Sequence, residues 1–384
     1  MTKIIYAKKA EDTSGELFTL DYVREVFSDA GSLIRRMQRD GVRMAYFFID
    51  PLLYHFEAGN EFYFDGLEID PVENISYYRT GAGPVHAVSE AKKMIEKGMA
   101  DAVSIFTYEP LYYNKKHRGK EAVQKAMDDV FKGVSLIECY NRIGEQMCGV
   151  LGISREEFMK TSDALYDNYR RTYEELHGEG SGPSGRGKNL ADSGGDLFYL
   201  TDIANPNIDF AGGVIIGNDE VYEKYNSFGE AVISIRAAAH GMVYGTPERI
   251  PQLVGAKDDI FPHLHRVFDK IEDEGQLIMR EELDRGNLLL NAYTCYPPIP
   301  MALLMTGGFV DSFDEIGAFL KEHQITIDGG MSLARAAWNN PAFSAFIGMC
   351  EKLRTSEEKY GLVHGNGGMG ESHGLVLVER VEKL

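Results

Sequence analysis

The sequence predicts an α/β protein in which helices cover β-sheet on both sides, built as two similar halves with a helical segment inserted in the first. Three observations lead there. Helix-like and strand-like stretches alternate along the chain, the pattern of layered α/β folds. The same order of elements occurs twice. At 384 residues the chain is longer than one ordinary domain, so two domains or two pseudo-symmetric halves are expected, about 1–225 and 226–384.

In the first half, Ala30 to Gly41 reads as a charged helix and Val42 to Asp50 as a strand. A second strand near Ile69 to Tyr78 runs into Thr80-Gly-Ala-Gly-Pro-Val-His. Pro84 suits a first helical turn, Val85, Val88, Ala91 and Ile95 form one apolar face, and Gly98 is a fitting stop. Ala102 to Thr107 is the next strand, and Asp209 to Gly217 closes the half with small residues. The second half repeats this order: a charged helix from Leu264 to Glu274, a strand from Asn287 to Cys295, and then Ile325-Thr-Ile-Asp-Gly-Gly330. A helix with Phe343, Phe346, Ile347, Cys350 and Leu353 on one face follows, and a terminal hairpin ends the series.

The inserted segment spans about 109–204. It opens with a basic run, Asn114 to Lys120, which reads as a solvated loop or as a contact for phosphates. Two helices follow, the second with a capping-box start at Ser154-Arg-Glu-Glu157. The glycine-rich stretch from Gly178 to Gly195 then reads as a mobile covering flap. Within it, Gly182 to Lys188 matches G-x-x-x-x-G-K. Asn189 stands where a phosphate-binding loop needs Ser or Thr, and a helix rather than a strand precedes it, so the match is a decoy. Arg186 and Lys188 remain candidates for meeting a phosphate.

The terminal hairpin holds most of the chemistry. An apolar strand at Gly361 to Val363 leads into Gly365, Gly367, Gly368 and Gly370, and Leu375 to Val378 forms the return strand. His364 and His373 flank this turn, where glycines allow backbone amides to approach a ligand. The alternative is a glycine turn between buried strands with two incidental histidines. The net charge of −19 argues against a nucleic-acid partner. Cys139, Cys148, Cys295 and Cys350 form no C-x-x-C pair, which suits a reducing compartment and no zinc site. His263-Leu-His265 reads as a solvated helix start rather than a metal pair, for want of a third ligand, and Cys295 as core. Neither a secretory h-region nor a membrane-spanning run is present, so a cytoplasmic protein is expected.

Five stretches resemble the thiolase superfamily, particularly its sterol-carrier-protein-X type and thiolase-like acyl-CoA proteins. Gly81 to Val103 is similar to the family's nucleophile helix and following strand, and Tyr140 to Tyr169 to its loop-domain helices. Tyr293-Thr-Cys-Tyr-Pro resembles the strand end carrying an active-site motif. Thr326-Ile-Asp-Gly-Gly330 and Gly365-Asn-Gly-Gly-Met-Gly resemble two active-site loops. The resemblance implies a five-layer αβαβα core and an acyl-CoA substrate, with coenzyme A as part of that substrate and no covalently bound cofactor. It also implies at least a homodimer.

Family chemistry loads the acyl group on a cysteine, but in this alignment Tyr78 falls at that position, Ala336 at the activating histidine, His364 at the second cysteine and Tyr293 at another histidine. A phenol is a poor acyl carrier. Two alternatives follow. The chain makes or breaks a carbon–carbon bond on a CoA thioester without an acyl-enzyme, as do thiolase-fold aldolases that work with a zinc-ribbon/OB-fold companion. Otherwise it is a catalytically silent subunit supporting an active thiolase paralogue as partner. The expected site brings His373, His364, Tyr293 and Tyr78 together as acid–base groups. Gly329, Gly330, Asn366, Gly367, Gly368, Arg186 and Lys188 are expected to hold substrate, and the Gly365–Gly370 turn to donate amides to a thioester or enolate oxygen.

Overall fold

The computed structural model describes residues 1–53, 63–72, 75–183, 185–243, 253–257 and 259–381. Glu73 and Asn74 of the expected Ile69–Tyr78 strand, and Ser184 of the glycine-rich stretch, lie outside the described residues. The strands are β1 (Lys3–Asp12), β2 (Met44–Ile49), β3 (Ser76–Tyr78), β4 (Ala102–Glu109), β5 (Asn189–Leu190), β6 (Gly195–Tyr199), β7 (Asp209–Gly217), β8 (Val232–Met242), β9 (Leu288–Asn291), β10 (Tyr360–Gly367) and β11 (Ser372–Val381). Nine of them form one mixed sheet in the order β3-β2-β4-β7-β1-β8-β11-β10-β9, while β5 and β6 pair separately.

The order shows the duplication. Outward from the centre it runs β1, β7, β4, β2, β3 on one side and β8, β11, β10, β9 on the other. The central pair β1 and β8 meets only at Lys3 opposite Ser234. Within each wing the pairings correspond: β7 is antiparallel to β1 and β4, as β11 is to β8 and β10, and β4–β2 and β10–β9 are both parallel. The counterpart of β3 is the segment around Ile325, whose carbonyl accepts from Ala292 N–H beyond β9, although it forms no regular strand.

Two helices fill the space between the wings. Gly83–Glu96 carries Pro84 in its first turn and buries Val85, Val88, Ala91 and Ile95, as its periodicity predicts. Burying each of the larger side chains contributes roughly 1.5–3 kcal/mol. This helix belongs to the first half yet packs on β8, where Ser89 Oγ donates to Ala238 O at 3.0 Å. The Pro341–Leu353 helix belongs to the second half and contacts β1, with Lys9 Nζ donating to Ser344 Oγ at 2.9 Å. The outer faces are covered by Ser28–Arg39 on one wing and Pro262–Gly275 on the other, which completes five layers.

The insertion is helical, with Leu136–Leu151 and Arg155–His177 as its long members. The capping box forms at Ser154 and Glu157. The basic run is not a loop: Leu111–His117 is a helix whose Lys115 donates to Asn207 Oδ1 at 2.6 Å. The G-x-x-x-x-G-K match ends in the short strand β5 and a single 3₁₀ turn, with no helix N-terminus to bind phosphate. Among the described residues no helix is long and apolar enough to cross a membrane.

Candidate functional site

Strand alternation places His364 and Asn366 on one face of β10, and the register of β11 brings His373 opposite Asn366. The rings of His364 and His373 lie nearly parallel, 5.2 Å apart, with His364 Nε2 and His373 Nδ1 at 3.0 Å. Tyr293 N–H donates to His364 Nδ1 at 3.4 Å. A backbone N–H can only donate, so neutral His364 carries its proton on Nε2 and donates it to His373 Nδ1. His373 then holds its own proton on Nε2, which makes no hydrogen bond of regular geometry. Burial pushes His364 down to about 3 and His373 well below its usual value, so both rings are neutral.

His263 joins this pair. Its ring lies 4.9 Å from that of His373, and its Nε2 lies 2.8 Å from Gly370 O. It is buried and pushed down to about 4 by loss of solvent, so its expected place on a solvated helix start is corrected. The cause is position: residue 263 begins the outer helix against β11, and its side chain points inward. His265, two residues on, points to Asp259 and Asp269 near the surface.

Beside His364 lies a cavity of about 440 Å³. Its inner wall includes His364, Tyr293, Asn291, Thr294 and Asn340, and its polar rim includes Lys9, Glu11, Asp328 and Arg335. Gly330 also lines it, held by a turn in which Gly330 N–H donates to Asp328 Oδ1 and Met331 N–H to Thr294 Oγ1, both at 2.8 Å. Burial raises the pKa of the Tyr293 phenol well above its usual value, so at neutral pH it is a proton donor and not a phenolate. His364 Nδ1, held only at 3.4 Å, is the ring atom that can exchange its partner for a substrate proton, while Nε2–H stays on His373.

His364, Tyr293 and Gly330 therefore reach the cavity directly, and His373 backs His364 from behind. The other expected residues are placed differently. Tyr78, expected with the acid–base groups, is not brought to them; its ring packs on Phe47 and His86, and it does not line the cavity. The residue turned toward the glycine turn is Thr80, a β-branched residue held at φ 71° between β3 and the central helix. Gly367 and Gly368 do not line the cavity either. Gly367 pairs with Ser372, and a methyl group there would collide with Thr80. Gly367 thus serves the close approach of the Thr80–Ala82 turn, and Gly368, at φ 65° with Glu371 against it, serves the hairpin turn itself.

Asn366 lies behind the wall as well, its Nδ2 donating to Tyr140 Oη at 2.9 Å and to Cys295 Sγ at 3.5 Å. Gly329 is backed by Tyr173 of the insertion. Arg186 is already committed: it pairs with Asp163 and Asp202 and lies over the rings of Tyr166 and Tyr199. Lys188 pairs with Asp192 at 2.8 Å. Arg186 thus ties the flap to its own subdomain instead of facing a phosphate, whereas the Lys188–Asp192 pair is exposed and lies within the flap itself. Ala336 itself does not line the cavity, while Arg335, Ala337 and Asn340 around it do. Sequence reasoning missed Asn340, Thr80 and His263. The available signal for the first was Asn340-Pro341 immediately before a helical pattern.

All four cysteines are buried. Burial pushes the thiols of Cys148 to about 11 and Cys295 to about 12, and none of the four lines the cavity. Among the described residues no three His, Cys, Asp or Glu side chains form a metal-binding group.

No family model matches the sequence, and no curated protein matches it. Solved structures do resemble the fold. A monomeric SCP2-thiolase-like protein type 1 from Mycobacterium smegmatis superposes with a TM-score of 0.68 at 13% identity, covering 100% of this chain and 78% of its own. The Ltp2-ChsH2(DUF35) aldolase matches with a TM-score of 0.68 at 13% identity, over 98% of this chain and 97% of its own. Human mitochondrial 3-ketoacyl-CoA thiolase matches with a TM-score of 0.64 at 11% identity, over 99% of both chains. With the strand order and five layers described above, these likenesses establish that the chain has the thiolase fold.

Proposed function

We propose that this chain binds a CoA thioester in the cavity beside His364 and forms or cleaves a carbon–carbon bond next to the thioester by acid–base chemistry, without an acyl-enzyme. The observation that carries this reading is the buried, neutral His364–His373 pair on the cavity wall, with no cysteine beside it. In the cleaving direction, His364 Nδ1 takes the proton of a β-hydroxyl group. The electron pair of the breaking Cα–Cβ bond moves into the thioester, and the Tyr293 phenol donates a hydrogen bond to oxygen that gains charge. His373 Nδ1 keeps the imidazole oriented through Nε2–H. At the rim Lys9 is paired with Glu11 at 3.0 Å, which leaves Arg335, bonded to the main-chain carbonyls of Thr13 and Asn207, as the cation for the phosphate-bearing end of the ligand. The two halves, 1–225 and 226–384, would form the folding units, and two chains would pair as a homodimer.

The test uses the purified chain with 3-hydroxyacyl-CoA substrates, following cleavage products by liquid chromatography and mass spectrometry. Turnover that falls about a hundredfold or more in His364→Gln supports the assignment. A stable acyl adduct on any cysteine, or full turnover in that variant, overturns it.

One observation favours a second reading, a silent subunit completed by a partner: both ring nitrogens of His364 are engaged, and burial makes it a weak base. The Ltp2-ChsH2(DUF35) aldolase is in keeping with a heteromeric arrangement, in which a small zinc-ribbon/OB-fold companion or a thiolase paralogue would join this chain. Activity that appears only with a co-purified partner, and survives His364→Gln, would select this reading.

A further inference from the structure

Asn340 is wholly buried, at 0% exposure, and neither its Nδ2 nor its Oδ1 has a hydrogen-bond partner among the described residues. Native interiors rarely leave one such atom unpaired, and a primary amide leaving both is an unmet donor and an unmet acceptor side by side.

Its position makes this more telling. Asn340 is the N-cap of the Pro341–Leu353 helix, where an asparagine side chain ordinarily accepts from the first turn. Here it makes no side-chain cap. The N–H groups of Phe343 and Ser344 both donate instead to the Asn340 main-chain carbonyl, at 2.9 Å each. The carboxamide is thereby released from its local role, and Asn340 is among the residues that line the cavity with His364 and Tyr293. Its polar neighbours on the same wall are committed elsewhere: Asn291 Oδ1 accepts from Ile327 N–H at 2.9 Å, and Thr294 Oγ1 accepts from Met331 N–H at 2.8 Å. Asn340 is the side chain of this lining whose donor and acceptor both lack a partner among the described residues, which makes it the candidate to meet an occupant.

Three acyl chains can be compared by what they offer. A saturated chain offers the amide nothing beyond the thioester carbonyl, and a 3-oxo chain offers acceptors only, so Oδ1 stays unpaired. A 3-hydroxy chain offers an O–H donor and, one short step away, a carbonyl acceptor. Only the last meets both halves of the carboxamide.

We propose that Asn340 is the specificity-determining residue of this cavity, its Oδ1 accepting the hydroxyl proton of a 3-hydroxyacyl thioester and its Nδ2 donating to the neighbouring carbonyl oxygen. The assignment rests on the thioester reading above and adds to it the residue that tells the hydroxy chain from its oxo and saturated counterparts. The hydroxyl has one proton, so the contact to Asn340 Oδ1 belongs to the bound ground state, and the O–H turns to His364 Nδ1, on the same cavity lining, before its proton is taken.

The experiment is calorimetric titration of the full chain with 3-hydroxyoctanoyl-CoA, 3-oxooctanoyl-CoA and octanoyl-CoA, repeated on Asn340→Leu after circular dichroism has confirmed its fold. The wild type should bind the hydroxy ligand about tenfold or more tightly than the other two, the scale set by leaving a buried polar group unpaired. Asn340→Leu should remove that preference by weakening the hydroxy ligand alone. Equal affinity for all three ligands in the wild type overturns the proposal, Asn340 then holding only a water, and leaves the thioester reading intact. A preference that survives in Asn340→Leu also overturns it. No binding of any of the three fails the thioester reading itself and the proposal with it. If Asn340→Leu does not fold, the wild-type comparison decides alone.

Discussion

Replacing His364 with leucine should make stability depend less on pH between 7 and 5. The imidazole titrates at 6.5 when unperturbed, whereas burial holds it at about 3 in the fold. With the folded value depressed, the unfolded chain takes up the proton first. The stability this group contributes is therefore present above pH 6.5 and is lost as the pH falls from 6.5 toward 3. One pKa unit corresponds to about 1.36 kcal/mol, so between pH 7 and pH 5 the wild type loses about 2 kcal/mol through this group alone. Leucine has no proton to take up. At pH 7 the variant is the weaker protein, because His373 Nδ1 loses its donor and Tyr293 N–H its acceptor, a cost of about 1–3 kcal/mol. At pH 5 that difference should have shrunk by about 2 kcal/mol and can change sign. Urea unfolding of both proteins at pH 7, 6 and 5, followed by far-ultraviolet circular dichroism, measures it. Asp202 and Asp209, raised to about 6 by burial, act in the opposite direction but are common to both proteins and cancel. A difference that stays constant from pH 7 to pH 5 would refute the buried neutral pair.

Two further outcomes are expected. Gly81→Ala should lower stability by about 1–3 kcal/mol in denaturant titration, because the added methyl meets Tyr293 Oη and the Asn366 carbonyl, and a variant as stable as the wild type would show that the two turns are not in close contact. Arg186→Met should destabilise by about 3–5 kcal/mol by leaving the buried Asp202 carboxylate uncompensated, while affinity for coenzyme A stays unchanged; a clear loss of that affinity in a folded variant would restore Arg186 as a phosphate ligand.

What the sequence determined by itself was the alternation of elements and their repetition, because periodicity is local. The Val85–Ile95 face, the Asp209–Gly217 strand and the Ser154 capping box need only neighbours within a few turns of chain, and each forms as read. The two central strands β1 and β8 were not legible. β1 turns charged after Tyr6 and β8 carries Ala237-Ala-Ala239, a poor strand former, so pairing with β7 and β11 overrides local preference.

The site divides in the same way. His364, His373 and Tyr293 could be grouped from sequence because one hairpin and one strand end of the same wing carry them. Tyr78, Arg186 and the glycine amides could not be assigned, since a ring, a guanidinium and a backbone N–H each take whichever partner the packed chain presents first. Phe47 and His86, Asp163 and Asp202, and Ser372 opposite Gly367 are those partners, and all are settled by tertiary contact. Asn340 is the converse. Its neighbours in sequence offer it a helix to cap, and only the packed chain shows that it leaves this cap unmade, its amide unpaired beside a cavity that distant segments build.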